Sequence, residues 1–122
     1  MAEKLLMILV NTDPENGSAL AAPLLQATVA AAMEYKTEII LTGLSGKLAK
    51  RGVTDNLLIR EGGNKTVYQV IQEAHAAGVT FKVCTPTFEL YGEDLIPEVS
   101  ETVGGAYIIS EAMDEDTVTF TY

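Results

Sequence analysis

The sequence has little cysteine, histidine and tryptophan: one Cys, one His and no Trp in 122 residues. One cysteine cannot form an intramolecular disulfide, which excludes the disulfide-stabilised class of secreted domains. One Cys and one His far apart in the chain fall short of the usual zinc ligand sets, so we expect no metal site. A reducing cytoplasm is therefore the expected location.

Long hydrophobic runs are also missing. No run approaches the roughly 18 apolar residues of a membrane span, and the apolar stretch near the N-terminus is too short for a signal peptide. We therefore expect no membrane partner. Hydrophobic residues still make up 48% of the chain. That fraction is enough for a real core, and the length predicts a single domain over residues 1–122.

Positive charge is scarce as well. Eight Lys and Arg residues stand against 17 Asp and Glu residues, giving a formal net charge of −9. An acidic chain of this kind repels phosphate backbones, so we expect no nucleic-acid partner.

Three continuous apolar runs predict buried strands. They cover residues 5–10, 37–42 and 78–84, and the last one ends in Cys84. Between the first two, Ser18 can cap an alanine-rich helix over 19–35, in which Ala21, Leu25, Thr28 and Ala32 fall on one face. A short helix over 45–51 and a long loop over 53–65 should follow. Residues 66–77 show the clearest helical spacing, closed by Gly78.

The C-terminal third allows two arrangements. Residues 106–109 and 118–120 could form an antiparallel hairpin. Alternatively, strands over 99–103 and 117–121 flank a helix over 106–113, which gives the length that a parallel crossover needs. We prefer the second arrangement. It predicts an α/β fold, a three-layer α/β/α sandwich with a mostly parallel five-stranded sheet, flavodoxin-like in general shape.

Cys84 is the most informative residue, because ligands and chemistry gather at the carboxyl ends of strands in open α/β folds. We expect Thr85 as N-cap and Pro86 at the first position of a short helix, whose positive end would favour a thiolate. The alternative is a cysteine that packs as a small hydrophobe. Glu89 and Glu93 also lie nearby in sequence and would raise the thiol pKa.

Other polar residues should share the rim with Cys84. Each candidate also has an alternative role that needs no ligand. The polar residues could simply form local turn hydrogen bonds, and the aromatic pair Phe88 and Tyr91 could pack in the core or against another subunit. The candidate substrate-binding residues are Asn11, Thr12, Thr42, Gly43, Thr85 and Tyr91. His75 is expected to be an ordinary surface histidine.

Common nucleotide-binding and serine-nucleophile motifs are absent from the sequence. Around Gly62-Gly63-Asn64-Lys65-Thr66, the two glycine positions of a P-loop are occupied by Ile59 and Asn64, and neither G-x-G-x-x-G nor G-x-S-x-G occurs. A flavin-dependent redox domain therefore has no motif in its favour, and we expect no cofactor.

One pattern runs through most of the chain: an apolar first strand and an alanine-rich helix, then Glu38–Thr42 followed by glycine. It continues through Thr66-Val67-Tyr68, Gly-Val-Thr-Phe-Lys-Val-Cys over 78–84, Leu90-Tyr91-Gly92 and Asp94-Leu95-Ile96, and ends with Val103–Ala106 leading to Val118–Phe120. In this pattern the chain resembles the DsrE/DsrF family. The cysteine after Gly-Val-x-Phe-x-Val is the most telling element, whereas Thr85-Pro86-Thr87 after it departs from the pattern.

This resemblance implies a small α/β/α sandwich that forms homo-oligomers, either trimers or hexamers. It also implies a sulfur carrier, a possible sulfurtransferase acting stoichiometrically, in which Cys84 accepts sulfane sulfur as a persulfide. TusA-like or rhodanese-like carriers would then be its partners. A hypothesis from another class is a non-catalytic oligomeric module that binds a small ligand and uses Cys84 for packing.

Overall fold

The computed structural model describes residues 2–92 and 94–122, and within them helices alternate with strands. The elements are β1 (Lys4–Leu9), α1 (Gly17–Ala32), β2 (Lys36–Leu41), a 3₁₀ helix (Gly43–Ala49), α2 (Val67–Ala77), β3 (Thr80–Cys84), α3 (Thr85–Tyr91), β4 (Val99–Val103), α4 (Gly105–Ala112) and β5 (Thr117–Thr121). Glu93, which was expected to raise the pKa of Cys84, lies outside the described residues.

The strands form one sheet in the order β4-β3-β2-β1-β5, and every neighbouring pair is parallel. This confirms the predicted α/β class. The C-terminal third adopts the crossover arrangement, since β5 pairs in parallel with β1 from Lys4↔Thr117 to Ile8↔Thr121. No hairpin forms there because α4 carries the chain across the sheet before β5 begins.

The two faces of the sheet are covered very unequally. One face carries the main core, with Leu20 and Leu24 of α1 and Ile71 of α2 packed against inward residues of the strands. The other face has a small cluster of Leu6, Ile40 and Val103, against which α4 places half-buried side chains. Among the described residues no helix is long and apolar enough to cross a membrane.

The first helix differs from its prediction at both its start and its inward face. Its N-cap is Asn16, whose side chain accepts a hydrogen bond from the Ala19 N–H, while the Ser18 hydroxyl only bonds to Asn16. Ala21, Leu25, Thr28 and Ala32 do fall on one face of the helix, but it is not the face toward the core, since Leu25 is 62% exposed. Leu20, Leu24 and Ala27 face the core instead, because α2 and the sheet cover that side.

The middle of the chain follows the prediction more closely. The second helix starts one residue later than predicted, because Thr66 is its N-cap in a reciprocal capping box with Gln69, and Gly78 closes it in the left-handed conformation. The stretch 53–65 is a loop, with an isolated bridge between Leu58 and Thr66. The predicted helix over 45–51 is a 3₁₀ helix that begins and ends two residues earlier.

Candidate functional site

Cys84 is the last residue of β3, and its side chain points to the face of the sheet that α4 covers. Side chains alternate along a strand, so Cys84 shares its face with Lys82. In register beside it lies Val103 at the end of β4, and Thr42 follows the end of β2. The residue is only 6% exposed. The thiol therefore lies just beneath the carboxyl edge of the sheet.

Two threonine hydroxyls hold the sulfur. The Cys84 Sγ lies 3.0 Å from the Oγ1 of Thr42 and 3.0 Å from the Oγ1 of Thr87. A neutral thiol donates to Thr42, whereas a thiolate accepts from both hydroxyls. The Gly43 N–H donates to the Thr87 Oγ1 at 3.1 Å, so the hydroxyl hydrogen of Thr87 remains free to point at the sulfur. The surroundings of this buried cysteine are therefore polar rather than purely apolar.

Opposing effects set the pKa of the Cys84 thiol. Burial raises it, but hydrogen bonds from the Thr42 and Thr87 side chains lower it, and the backbone amides of Thr87 and Gly43 act in the same direction. The net shift is downward from the ordinary value of a cysteine. This is opposite to the increase expected from Glu89 and Glu93. The arrangement favours the thiolate, which is the nucleophilic form.

Two glycines let the polypeptide close around this sulfur. Gly43 has φ +54, a left-handed conformation that L side chains rarely adopt. A Cβ added to Gly46 would lie 1.8 Å from Thr87 Cγ2 and 3.3 Å from the Tyr91 ring. The 3₁₀ helix can therefore approach α3 closely only because residue 46 has no side chain. This contact fixes the position of Thr87 next to Cys84.

The expected role of Thr85 as N-cap is wrong. Cys84 itself is the N-cap of α3, with extended φ −78 and ψ 148, and Thr85 is already helical. The hydroxyl of Thr85 donates to the Val103 carbonyl at 3.1 Å. It ties α3 to the end of β4 and does not contact the sulfur.

The other candidate substrate-binding residues lie at different distances from the Cys84 sulfur. Thr42 and Gly43 lie in the immediate surroundings of Cys84, as described above. Thr12 is buried, and its N–H donates to the Ser45 Oγ at 2.8 Å. Asn11 is exposed, and its N–H donates to the Tyr122 carbonyl. Tyr91 is half-buried against Gly46 and Phe88 packs on the main core, so this aromatic pair points inward.

Thr87 is the site residue that the sequence analysis missed. The sequence could have indicated Thr87 by its position three residues after Cys84, because the side chain of an N-cap residue lies close to the third residue of its helix. Because the sequence analysis assigned the N-cap to Thr85 instead of Cys84, it did not place Thr87 beside the sulfur.

His75 is exposed on α2 as expected. Within the described ranges, no group of three or more His, Cys, Asp or Glu side chains is placed to hold a metal ion.

A charged cluster lies on the same face of the sheet, below Cys84. The Glu38 carboxylate accepts from Lys4 at 2.8 Å and from the Tyr107 hydroxyl at 2.8 Å, and it lies 3.2 Å from the Lys82 Nζ. Burial raises the pKa of Glu38, but the bonds from Lys4 and Tyr107 outweigh it and bring the pKa below its ordinary value. No sequence motif predicted this cluster, since its members come from four separate elements.

A likeness to a solved structure agrees with this architecture. No family model matches the chain, and no curated protein matches it. Among solved structures, the chain is similar to the ychN protein from E. coli, with a TM-score of 0.74 and 19% sequence identity over 100% of both chains. At this identity the likeness shows a shared fold.

Proposed function

We propose that this protein is a sulfur carrier that accepts sulfane sulfur as a persulfide on Cys84. The observation that supports the proposal best is the Cys84 sulfur placed 3.0 Å from two threonine hydroxyls at the carboxyl edge of the sheet. The downward shift of its pKa favours a reactive thiolate. The resemblance of the sequence to the DsrE/DsrF family points to the same chemistry.

The transfer balances without an external oxidant. The Cys84 thiolate attacks the outer sulfur of a donor persulfide or polysulfide, a new S–S bond forms, and the donor leaves as a thiolate. A partner thiolate then attacks the outer sulfur on Cys84, and Cys84 leaves as a thiolate. The hydroxyls of Thr42 and Thr87 stabilise the negative charge that returns to Sγ in this second step. One sulfur atom is carried for each protein chain.

The proposed partners follow from this chemistry. A TusA-like or rhodanese-like carrier in a reducing cytoplasm would present a nucleophilic or persulfidated cysteine to Cys84. Since the thiol is only 6% exposed, the partner must deliver sulfur on a narrow or flexible segment. We propose no cofactor and no nucleic-acid partner for this reaction.

Mass spectrometry of the intact protein tests the proposal. Reduced protein is exposed briefly to inorganic polysulfide beside Cys84→Ser, and each bound sulfur should add about 32 Da that reductant removes. We expect the addition in the wild type and none in Cys84→Ser, with both proteins equally folded by circular dichroism. Thr85→Val is a matched control, because its hydroxyl does not touch the sulfur.

The second candidate is a non-catalytic module in which Cys84 only packs. The low exposure of Cys84 favours it. Under this candidate, the wild type gains no mass, its thiol resists alkylation until the protein unfolds, and Cys84→Ser mainly lowers stability. That set of results would end the sulfur-carrier proposal.

We also propose that the chain forms a homo-oligomer, a trimer or hexamer, through an apolar groove. The groove lies between the outer side of α1 and the edge strand β5, and has a volume of about 590 Å³. Leu25, Val29, Met33, Val118 and Phe120 line it, each between 41% and 62% exposed. No Asp or Glu of the described residues lines it. Two copies of an acidic chain repel each other least across such a surface.

A further inference from the structure

The helix α4 is held to the sheet mostly by polar bonds and by little apolar packing. None of its residues is fully buried, and its apolar contacts are those of half-buried Tyr107, Ile108 and Ala112 with a small cluster. The opposite face of the sheet carries a far larger core. Elements with few buried apolar contacts open at lower free energy than the rest of a protein.

Three side-chain bonds fasten α4 at its two ends. Near its start, the Tyr107 hydroxyl accepts from the Lys82 Nζ at 2.6 Å and donates to the Glu38 carboxylate at 2.8 Å. Near its end, Glu111 pairs with Lys4. All three sheet partners are themselves ion-paired to one another through Glu38, so they stay in place when α4 leaves.

The connection before α4 permits such a movement. Gly104 follows β4 directly and Gly105 is the first residue of α4, and a Cβ added to either would meet nothing within 4 Å. Gly104 supplies no side-chain cap to the helix. Two adjacent unpacked glycines give the backbone the freedom that a hinge needs.

We propose that α4 is a cover that lifts off the sheet, bending at Gly104 and Gly105 and at the turn over 113–116 that leads into β5, while all five strands stay paired. We propose further that its opening controls access to the Cys84 thiol. Cys84 pairs in register with Val103, and Val103 lies in the small cluster that Tyr107 and Ile108 cover. Lifting α4 therefore uncovers the flank of Cys84. The proposal concerns the access to the site described above, and alkylation reports this access without any sulfur transfer.

Hydrogen exchange and alkylation, measured together, test this cover. Tyr107→Phe removes both bonds at the start of α4 and should speed amide exchange over residues 105–112 by about tenfold, given the usual strength of bonds to charged groups. Cys84 alkylation by iodoacetamide should speed up by a similar factor. The melting temperature should fall by only a few degrees, since the same bonds are also lost on global unfolding. Gly105→Ala restricts the hinge and should slow both by about two- to fivefold.

A matched control separates opening from a general loss of stability. Tyr68→Phe removes another tyrosine–glutamate bond, the one to Glu98 on the opposite side of the protein, and should change neither rate. If Tyr107→Phe fails to fold, Glu111→Gln takes its place, because it weakens the pair with Lys4 at the far end of α4. The same increase in amide exchange and in Cys84 alkylation is then expected. The proposal is overturned if α4 exchanges only with global unfolding, or if its exchange rises while Cys84 alkylation stays constant.

Discussion

At the scale of the residue, Thr87 has the clearest chemical role beside Cys84. Its hydroxyl accepts from the Gly43 N–H and lies 3.0 Å from the sulfur, so its orientation is fixed by a bond on the far side. A hydroxyl held in this way can donate to a thiolate without first reorganising. Thr42 contributes a second hydroxyl at the same distance.

Replacing this hydroxyl should make the thiol less acidic. Thr87→Val keeps the shape of the side chain and removes a bond that favours the charged sulfur, so the midpoint of the pH profile for Cys84 alkylation should move upward. Stopped-time alkylation with iodoacetamide between pH 6 and about 10 measures this midpoint. Thr85→Val should leave it unchanged, because its hydroxyl bonds to Val103. Equal midpoints in Thr87→Val and the wild type would remove Thr87 from the site.

The sequence allowed Cys84 to be found but not its surroundings. Its place at the end of an apolar run predicted the strand end, and Thr42 and Gly43 followed from the same rule for the neighbouring strand. Thr87 was missed because the N-cap of α3 was assigned to Thr85, one position after the true N-cap, Cys84. The close approach of Gly46 to Thr87 joins two segments about 40 positions apart, and nothing local in the sequence encodes it.

At the scale of the element, the polar bonds between the sheet and α4 depend on one carboxylate. Glu38 on β2 meets Lys4 of β1, Lys82 of β3 and Tyr107 of α4. Its pKa is lowered in the folded state, so its contribution to stability is present above its ordinary pKa of 4.5 and is lost as the pH falls through the folded value.

Neutralising Glu38 should therefore destabilise the protein most near neutral pH. Glu38→Gln leaves Lys4 and Lys82 buried with less counter-charge and should cost about 3 kcal/mol at pH 7. The difference from the wild type should shrink as the pH falls below the ordinary pKa of 4.5 and through the lowered pKa of Glu38 in the folded protein, where the native carboxyl group also becomes neutral. Urea unfolding of both proteins at pH 7 and pH 3 measures it. Glu73→Gln, in an exposed pair with Lys65, should change stability little at either pH.

Helices and strands differed in how well the sequence predicted them. The continuous apolar runs predicted all three inner strands, because parallel strands buried on both faces need such runs. The start and inward face of α1 were missed, because an alanine-rich helix has a weak apolar asymmetry and Asn16 competed with Ser18 as its cap. Tertiary packing against α2 chose the buried side, with Leu24 inward and Leu25 outward.

At the scale of the whole molecule, the exposed apolar residues predict where copies of the chain meet. Val29→Glu puts a charge in the middle of the groove between α1 and β5, where the side chain is 48% exposed. We expect it to reduce the oligomer to a species near 13 kDa in light scattering, with a circular dichroism spectrum that still shows a folded chain.

A second variant outside the groove provides the comparison. Leu90→Glu changes a side chain on α3 that is 72% exposed but does not line the groove, and it should keep the assembly of the wild type. A wild type that is already monomeric at micromolar concentration would contradict self-association altogether. Loss of assembly in Leu90→Glu alone would move the contact to α3.

The position of β5 also sets the order in which the protein can form. β5 pairs with β1, so Lys4 and Thr117 are neighbours although they lie far apart in the chain. Contacts of such long sequence separation slow folding, since a large loop must close before they form. During synthesis, β2, β3 and β4 are made before β5, and the outer edge of β1 stays unpaired until β5 emerges. An open strand edge invites association with other chains, so a nascent chain that stalls after α4 is the species most exposed to aggregation.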